Sequence, residues 1–151
     1  IPADDEKATW RMSGKLSVRA AGQSQVMNIE WLQQGERSAI ELFGPFRLKL
    51  AKIVADGDEI TVRTRQGEFH YSEDSRLDLT ENIEIQLPWQ AMAHWVRGKN
   101  DVDAEEIGEG GYQFGNWFVQ VPERDNEGPK LVTLNYPDID VKLKIVSWIF
   151  N

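Results

Sequence analysis

The sequence predicts a mainly β fold, an antiparallel sheet rolled into a barrel or folded into a sandwich. Three observations carry the prediction. Apolar and polar residues alternate with a period of two along most of the chain, which puts one face of each strand in a core and the other in water. Turn signals interrupt that alternation at short spacing: Ala21-Gly22, Gln34-Gly35, Gly44-Pro45, Asp56-Gly57-Asp58, Gln66-Gly67 and Tyr136-Pro137-Asp138. The chain is 151 residues long with 40% hydrophobic residues, enough for one sizeable core.

Each element is legible in order. Leu16 and Val18 alternate with Lys15, Ser17 and Arg19, and Met27, Ile29 and Trp31 alternate with Asn28 and Glu30. Ile40 and Leu42 continue the pattern, then Leu48 and Leu50 against Arg47 and Lys49, then Ile60 and Val62 against Thr61 and Arg63. Ser72-Glu-Asp-Ser reads as a helix N-terminus with acids in its first turn, so a helix is predicted over Ser72–Ile83. A second helix is predicted over Leu87–Gly98: Pro88 suits the first helical position, Trp89, Met92 and Val96 share a face, and Gly98 supplies the stop. The cleanest strand comes last, with Ile139, Val141, Leu143 and Ile145 against Asp140, Lys142 and Lys144.

Composition excludes several classes of function. The net charge of −8 opposes nucleic-acid binding, because neutralising phosphates needs clustered Lys and Arg. The absence of cysteine removes disulfides, thiol catalysis and Cys-ligated zinc. Charge is also unevenly placed: residues 101–127 hold eight acids against one base, Arg124, whereas residues 37–65 hold six bases against four acids. His70 and His94 fall on different elements without metal-ligand spacing, and Asp101-x-Asp103-x-Glu105 lacks the glycine that a calcium loop needs at its sixth position. No catalytic, metal-binding or cofactor-binding residue is nominated, and the chain does not read as an enzyme.

Aromatic placement says more. Trp31, Trp117 and Trp148 fall on predicted strands and Trp95 on the second helix. In a barrel such rings either fill the core or line an apolar cavity. A solvent-facing Trp platform for carbohydrate is the competing reading. Pro45 presets φ for a tight turn and places Phe46 at its tip, between two strands and ahead of Arg47, Lys49 and Lys52. Exposing Phe46 forgoes about 1.5–3 kcal/mol of burial, and an apolar finger flanked by cations suits a membrane surface.

In this order and spacing the motifs resemble the LolB family. They are Gly14-Lys15-Leu16-Ser17-Val18, Trp31-x-Gln33-x-Gly35, Gly44-Pro45-Phe46, Leu87-Pro88 with Trp95-Val96-Arg97-Gly98, Asn116-Trp117, and Lys142-Leu-Lys-Ile-x-x-Trp148. The resemblance implies one domain over 1–151, an incomplete antiparallel barrel of about 10–11 strands, with two or three helices covering the mouth of a hydrophobic cavity. Candidate lining residues are Met27, Ile29, Trp31, Ile40, Leu42, Leu48, Leu50, Trp95, Trp117 and Trp148. It implies a monomer at the periplasmic face of the outer membrane that takes acylated lipoproteins from a LolA-like carrier and inserts them among outer-membrane phospholipids. Pro45, Phe46 and Arg47 would form the membrane-insertion loop, with Phe46 where the family carries an exposed apolar residue. That family usually continues with glycine where this chain has Arg47. It is anchored by a lipidated N-terminal Cys that these residues lack, so the resemblance implies that they begin after the anchor.

Overall fold

Strand pairing is continuous from one end of the fold to the other. The computed structural model describes residues 9–20, 22–57, 59–72, 89–97, 105–106, 111–114 and 116–150. It contains β1 (Thr9–Ala20), β2 (Gln23–Gln34), β3 (Arg37–Phe43), β4 (Lys49–Asp56), β5 (Glu59–Thr64), β6 (Gly67–Ser72), helix α1 (Trp89–Trp95), β7 (Glu105–Glu106), β8 (Gly111–Phe114), β9 (Trp117–Asp125), β10 (Gly128–Tyr136) and β11 (Ile139–Phe150). The strands form one antiparallel sheet in the order β6-β5-β4-β3-β2-β1-β11-β10-β9-β8-β7. It is not closed: β6 and β7 are its two edges. The expected count of 10–11 strands is met, and the barrel is an open one.

The helix count is lower than expected. Among the described residues there is one α-helix, α1, rather than two or three, plus a single 3-10 turn at Pro45–Arg47. The helix predicted over Ser72–Ile83 lies outside the described residues except for Ser72, which ends β6. Glu105 and Glu106 of the acidic segment pair as a short edge strand, Glu105 with Gln113 and Glu106 with Tyr112.

Alternation sorts the side chains as predicted wherever the ladder is regular. Leu16, Val18, Met27, Ile29, Trp31, Ile60, Val62, Val141 and Leu143 are buried on one inner face. α1 packs there through Trp89, Met92, Trp95 and Val96, all fully buried. Burial of one such side chain contributes about 1.5–3 kcal/mol, so a seven-residue helix, too short to be stable alone, is held by the sheet it covers.

Register shifts interrupt the β9–β10 ladder as well, but two bulges bear on the residues singled out in the sequence. In β11, Ile145 pairs with Gly14 and Ser147 with Ser13, which leaves Val146 extra. Val146 and Ser147 therefore both face out, and the inward series passes from Ile145 to Trp148. This accounts for the two-residue gap in Ile-x-x-Trp148. In the second bulge Leu42 pairs with Ala51 and Phe43 with Lys49, leaving Leu50 extra. The inward series of β4 becomes Ala51, Ile53 and Ala55; Leu50, the extra residue, is half-buried against the core, whereas Leu48, expected to face inward, closes the loop before β4 and is exposed.

Arg97, just past α1, clamps the helix to the far end of the sheet. Its guanidinium lies 4.7 Å from the ring centroids of both Trp148 and Phe150 and donates to the Glu127 carbonyl at 3.2 Å. Burial lowers its pKa from the ordinary value, yet an arginine stays cationic. Any Cβ at residue 128 would come within 2.7 Å of Arg97 Nη1, so glycine there makes room for the clamp.

Candidate functional site

The loop between β3 and β4 is built on five residues. Gly44 N–H donates to the Leu48 carbonyl at 2.8 Å, and Leu48 N–H donates to the Pro45 carbonyl at 3.2 Å. Pro45 fixes the entry, and the turn then closes through two left-handed residues in succession, Phe46 (φ 59°) and Arg47 (φ 57°). The Phe46 side chain is fully exposed. A left-handed conformation costs a non-glycine residue about 1–2 kcal/mol. Strain and an exposed aromatic ring thus coincide at one tip, the kind of coincidence that marks functional loops.

The cations beside the tip do not project with it. Arg47 folds back onto the outer face of the sheet, its guanidinium 4.6 Å from the Phe43 ring centroid and 3.3 Å from Glu30 Oε1. Lys49 pairs with Glu41 at 2.5 Å. Leu48 is 42% exposed next to Phe46, so it extends the apolar tip, and Leu50 is half-buried, its side chain 3.5 Å from the position a Gly44 Cβ would take.

Left-handed geometry at Arg47 explains why glycine suits that position. Arg47→Ala should lose the ion pair, which contributes about 0–1 kcal/mol at an exposed site, and the cation–π contact, about 0.5–1 kcal/mol, while keeping the strain. Arg47→Gly loses the same contacts and sheds the strain. Urea unfolding is expected to show the glycine variant about 1 kcal/mol more stable than the alanine variant. Equal midpoints would mean that the loop is not left-handed at residue 47.

On the inner face, Met27, Ile29, Trp31, Ile40, Leu42, Trp95, Trp117 and Trp148 are all buried. Four indoles run in a line across it: Trp148 to Trp10 at 5.2 Å, Trp10 to Trp31 at 5.7 Å and Trp31 to Trp89 of α1 at 5.7 Å. Trp10 was not singled out in the sequence, and Trp89 was read as part of the helix face with Met92 and Val96 but not as part of this lining. Trp31 Nε1 donates to Gln33 Oε1 at 2.9 Å, which also accepts from Ser38 Oγ at 2.5 Å, while Gln33 Nε2 donates to the Gly35 carbonyl at 2.8 Å. That chain gives Trp31-x-Gln33-x-Gly35 its meaning: one buried glutamine ties the ring to the β2–β3 turn. Trp95 Nε1 is buried and has no hydrogen-bond partner among the described residues. None of the six indoles presents the solvent-facing platform that a carbohydrate reading requires.

The outer face carries a cleft of about 450 Å³ across β11, β1, β2, β3 and β4, with Leu32, Ala39 and Ile149 among its walls and Arg11, Arg37 and Lys52 around them. The sequence gives no sign of it, because outward residues of regular strands read as solvated whether or not the sheet curves. His70 sits on β6 with Nδ1 3.2 Å from Thr61 Oγ1 and Nε2 3.4 Å from Glu68, a surface residue.

The family model described as outer membrane lipoprotein LolB matches residues 8–148. Relatives described as outer-membrane lipoprotein LolB include one from Halorhodospira halophila, 28% identical over 104 residues, covering 69% of this chain and 51% of the relative. Another, from Pseudomonas fluorescens, is 25% identical over 152 residues (93% and 74%), and one from Chromobacterium violaceum is 23% identical over 146 residues (93% and 81%). The match thus spans about half the length of the first and about three quarters of the second. Among solved structures, a LolA superfamily protein from Nitrosomonas europaea superposes with a TM-score of 0.60 at 10% identity, covering 99% of this chain and 91% of that one. A DUF1329 family protein from Desulfovibrio piger gives 0.62 at 6% identity, covering 99% and 88%. At such identities the likeness is one of fold.

Proposed function

The chain belongs to the LolB family, and on that premise we propose that it binds the acyl chains of lipoproteins handed over by a LolA-like periplasmic carrier and inserts them into the inner leaflet of the outer membrane. It works at the periplasmic face of that membrane as a monomer, held by a lipidated cysteine upstream of these residues, and without energy input. The observation that carries the reading is Phe46, a fully exposed ring at a strained tip. Among the described residues no helix is long and apolar enough to cross a membrane.

Acyl chains carry about 0.8 kcal/mol per buried CH₂. A receptor must hide them from water and still release them. The apolar inner face under α1 offers burial on hydrophobic side chains. Transfer then follows graded affinity: tighter than the carrier, looser than the bilayer. The chains enter between α1 and the sheet, next to Trp31 and Trp95. An environment-sensitive fatty probe should bind at micromolar concentration and be displaced by a triacylated lipoprotein but not by its unacylated form. No probe uptake would overturn the acyl-binding reading.

A further inference from the structure

The rungs of the sheet bring Lys15, near the start of the chain, beside Lys142 and Lys144 on the outer face of the last strand. Lys15 of β1 lies directly opposite Lys144 of β11, and Lys142, opposite Ser17, follows one rung along. All three are exposed. None has a carboxylate within ion-pair distance among the described residues. Like charges directly opposite one another on neighbouring strands are destabilising, so this stripe costs the fold something unless an anion from outside covers it.

The surrounding acids are engaged elsewhere or distant. Glu30 and Glu41 are held by Arg47 and Lys49. Asp140 lies opposite Arg19 and accepts from Asn135 Nδ2 at 2.5 Å. Glu123 is two strands away, beyond Leu131, roughly 10 Å at the usual strand spacing. Apolar side chains are interleaved instead: Val26, opposite Ser17, is 61% exposed, and Val146 is 63% exposed. The same rung that holds Lys144 and Lys15 continues through Asn28 to Phe43, where β3 runs into the Phe46 loop.

We propose that Lys15, Lys142 and Lys144 form a docking stripe for an anionic phospholipid bilayer, their ammonium groups taking lipid phosphates while Val26 and Val146 lie against the interface. The proposal rests on the membrane-contact reading of Phe46 and adds what that loop lacks, since Arg47 and Lys49 are committed to Glu30 and Glu41. Cations unpaired among the described residues, with exposed aliphatics between them, on the face whose rungs lead to an apolar tip, fit a lipid surface better than a folded protein partner. The stripe also fixes orientation, with β11, β1 and β2 laid toward the leaflet that Phe46 enters.

Binding of the full chain to vesicles of phosphatidylcholine, with and without phosphatidylglycerol, tests this by co-sedimentation at low and high salt. Each lysine near an anionic surface should contribute about fivefold to partitioning, or about a hundredfold for three. The wild type should prefer the anionic vesicles by about that factor and lose the preference in high salt. The triple variant Lys15→Gln/Lys142→Gln/Lys144→Gln should bind both vesicle types alike, and the triple arginine variant should restore the preference. Unfolding of the glutamine variant at or above the wild-type midpoint would show that its fold is intact. An anionic preference that survives in the glutamine variant overturns the stripe. Phe46→Glu separates the two ideas: unchanged binding in that variant sinks the finger and leaves the stripe standing, whereas weakened binding with the anionic preference kept supports both.

Discussion

Phe46→Glu should abolish delivery of lipoprotein to liposomes while leaving folding and loading unchanged. The ring is fully exposed, so its removal takes nothing from the core, and the new residue occupies the same left-handed conformation. Stability should stay within about 0.5 kcal/mol of the wild type, as for surface substitutions away from special contacts. Delivery is another matter. A phenyl ring entering the acyl boundary gains about 1.5–3 kcal/mol, and a carboxylate there is repelled by anionic headgroups as well. Each 1.4 kcal/mol is tenfold, so a drop of about a hundredfold or more is expected in the amount of lipoprotein recovered with the vesicles, against an unaltered signal for the loaded fatty probe. Phe46→Leu should preserve most of the activity. Full delivery by the glutamate variant would remove the loop from the release step.

Gly14→Ala should be the most damaging single methyl in the described sheet. The β11 bulge at Val146 brings that strand so near β1 that a Cβ on residue 14 would overlap the Lys144 carbonyl oxygen. The obstacle is backbone, in the middle of the strand order, and cannot swing aside as a side chain would. Overpacking commonly costs about 1–3 kcal/mol, and here the β1–β11 ladder must part or the bulge must move. A loss of about 3 kcal/mol or more is expected, which for a chain of this length lowers the thermal midpoint by about 10 °C. A midpoint within 2 °C of the wild type would mean that the two backbones are not so close.

Alternation was readable because burial on one face leaves its mark on every second residue. It served for Leu16 to Val18, Met27 to Trp31, Ile60 to Val62 and Ile139 to Ile145, where each rung follows the last. It failed at Leu48, which closes the loop rather than joining β4, and held only in part at Leu50, because a bulge is a property of two strands and no single strand records it. The tip was legible through Pro45, whose ring sets the turn and leaves Phe46 outermost. The left-handed state of Arg47 was not, since arginine has no preference for it and long-range pairing imposes it. The fates of the neighbouring cations were likewise hidden: Glu30 and Glu41 reach Arg47 and Lys49 only through the β2–β3–β4 register. Lys15 and Lys144 meet only when the last strand returns beside the first. Inward placement followed from alternation for Met27, Ile29, Trp31, Ile40 and Leu42; Trp10 was missed because alternation is weakest to read at a strand start, and Trp89, read on the helix face, meets Trp31 only through the packing of the helix on the sheet.

The line of indoles gives the protein an optical gauge of its own state. Three of its four chromophores, Trp148, Trp10 and Trp31, ride on adjacent strands of one ladder, and the fourth, Trp89, rides on the helix. Rings this close couple their electronic transitions. When the helix lifts from the sheet, one coupling is lost and two persist, so near-ultraviolet circular dichroism distinguishes parting of the two layers from unfolding, which extinguishes all three.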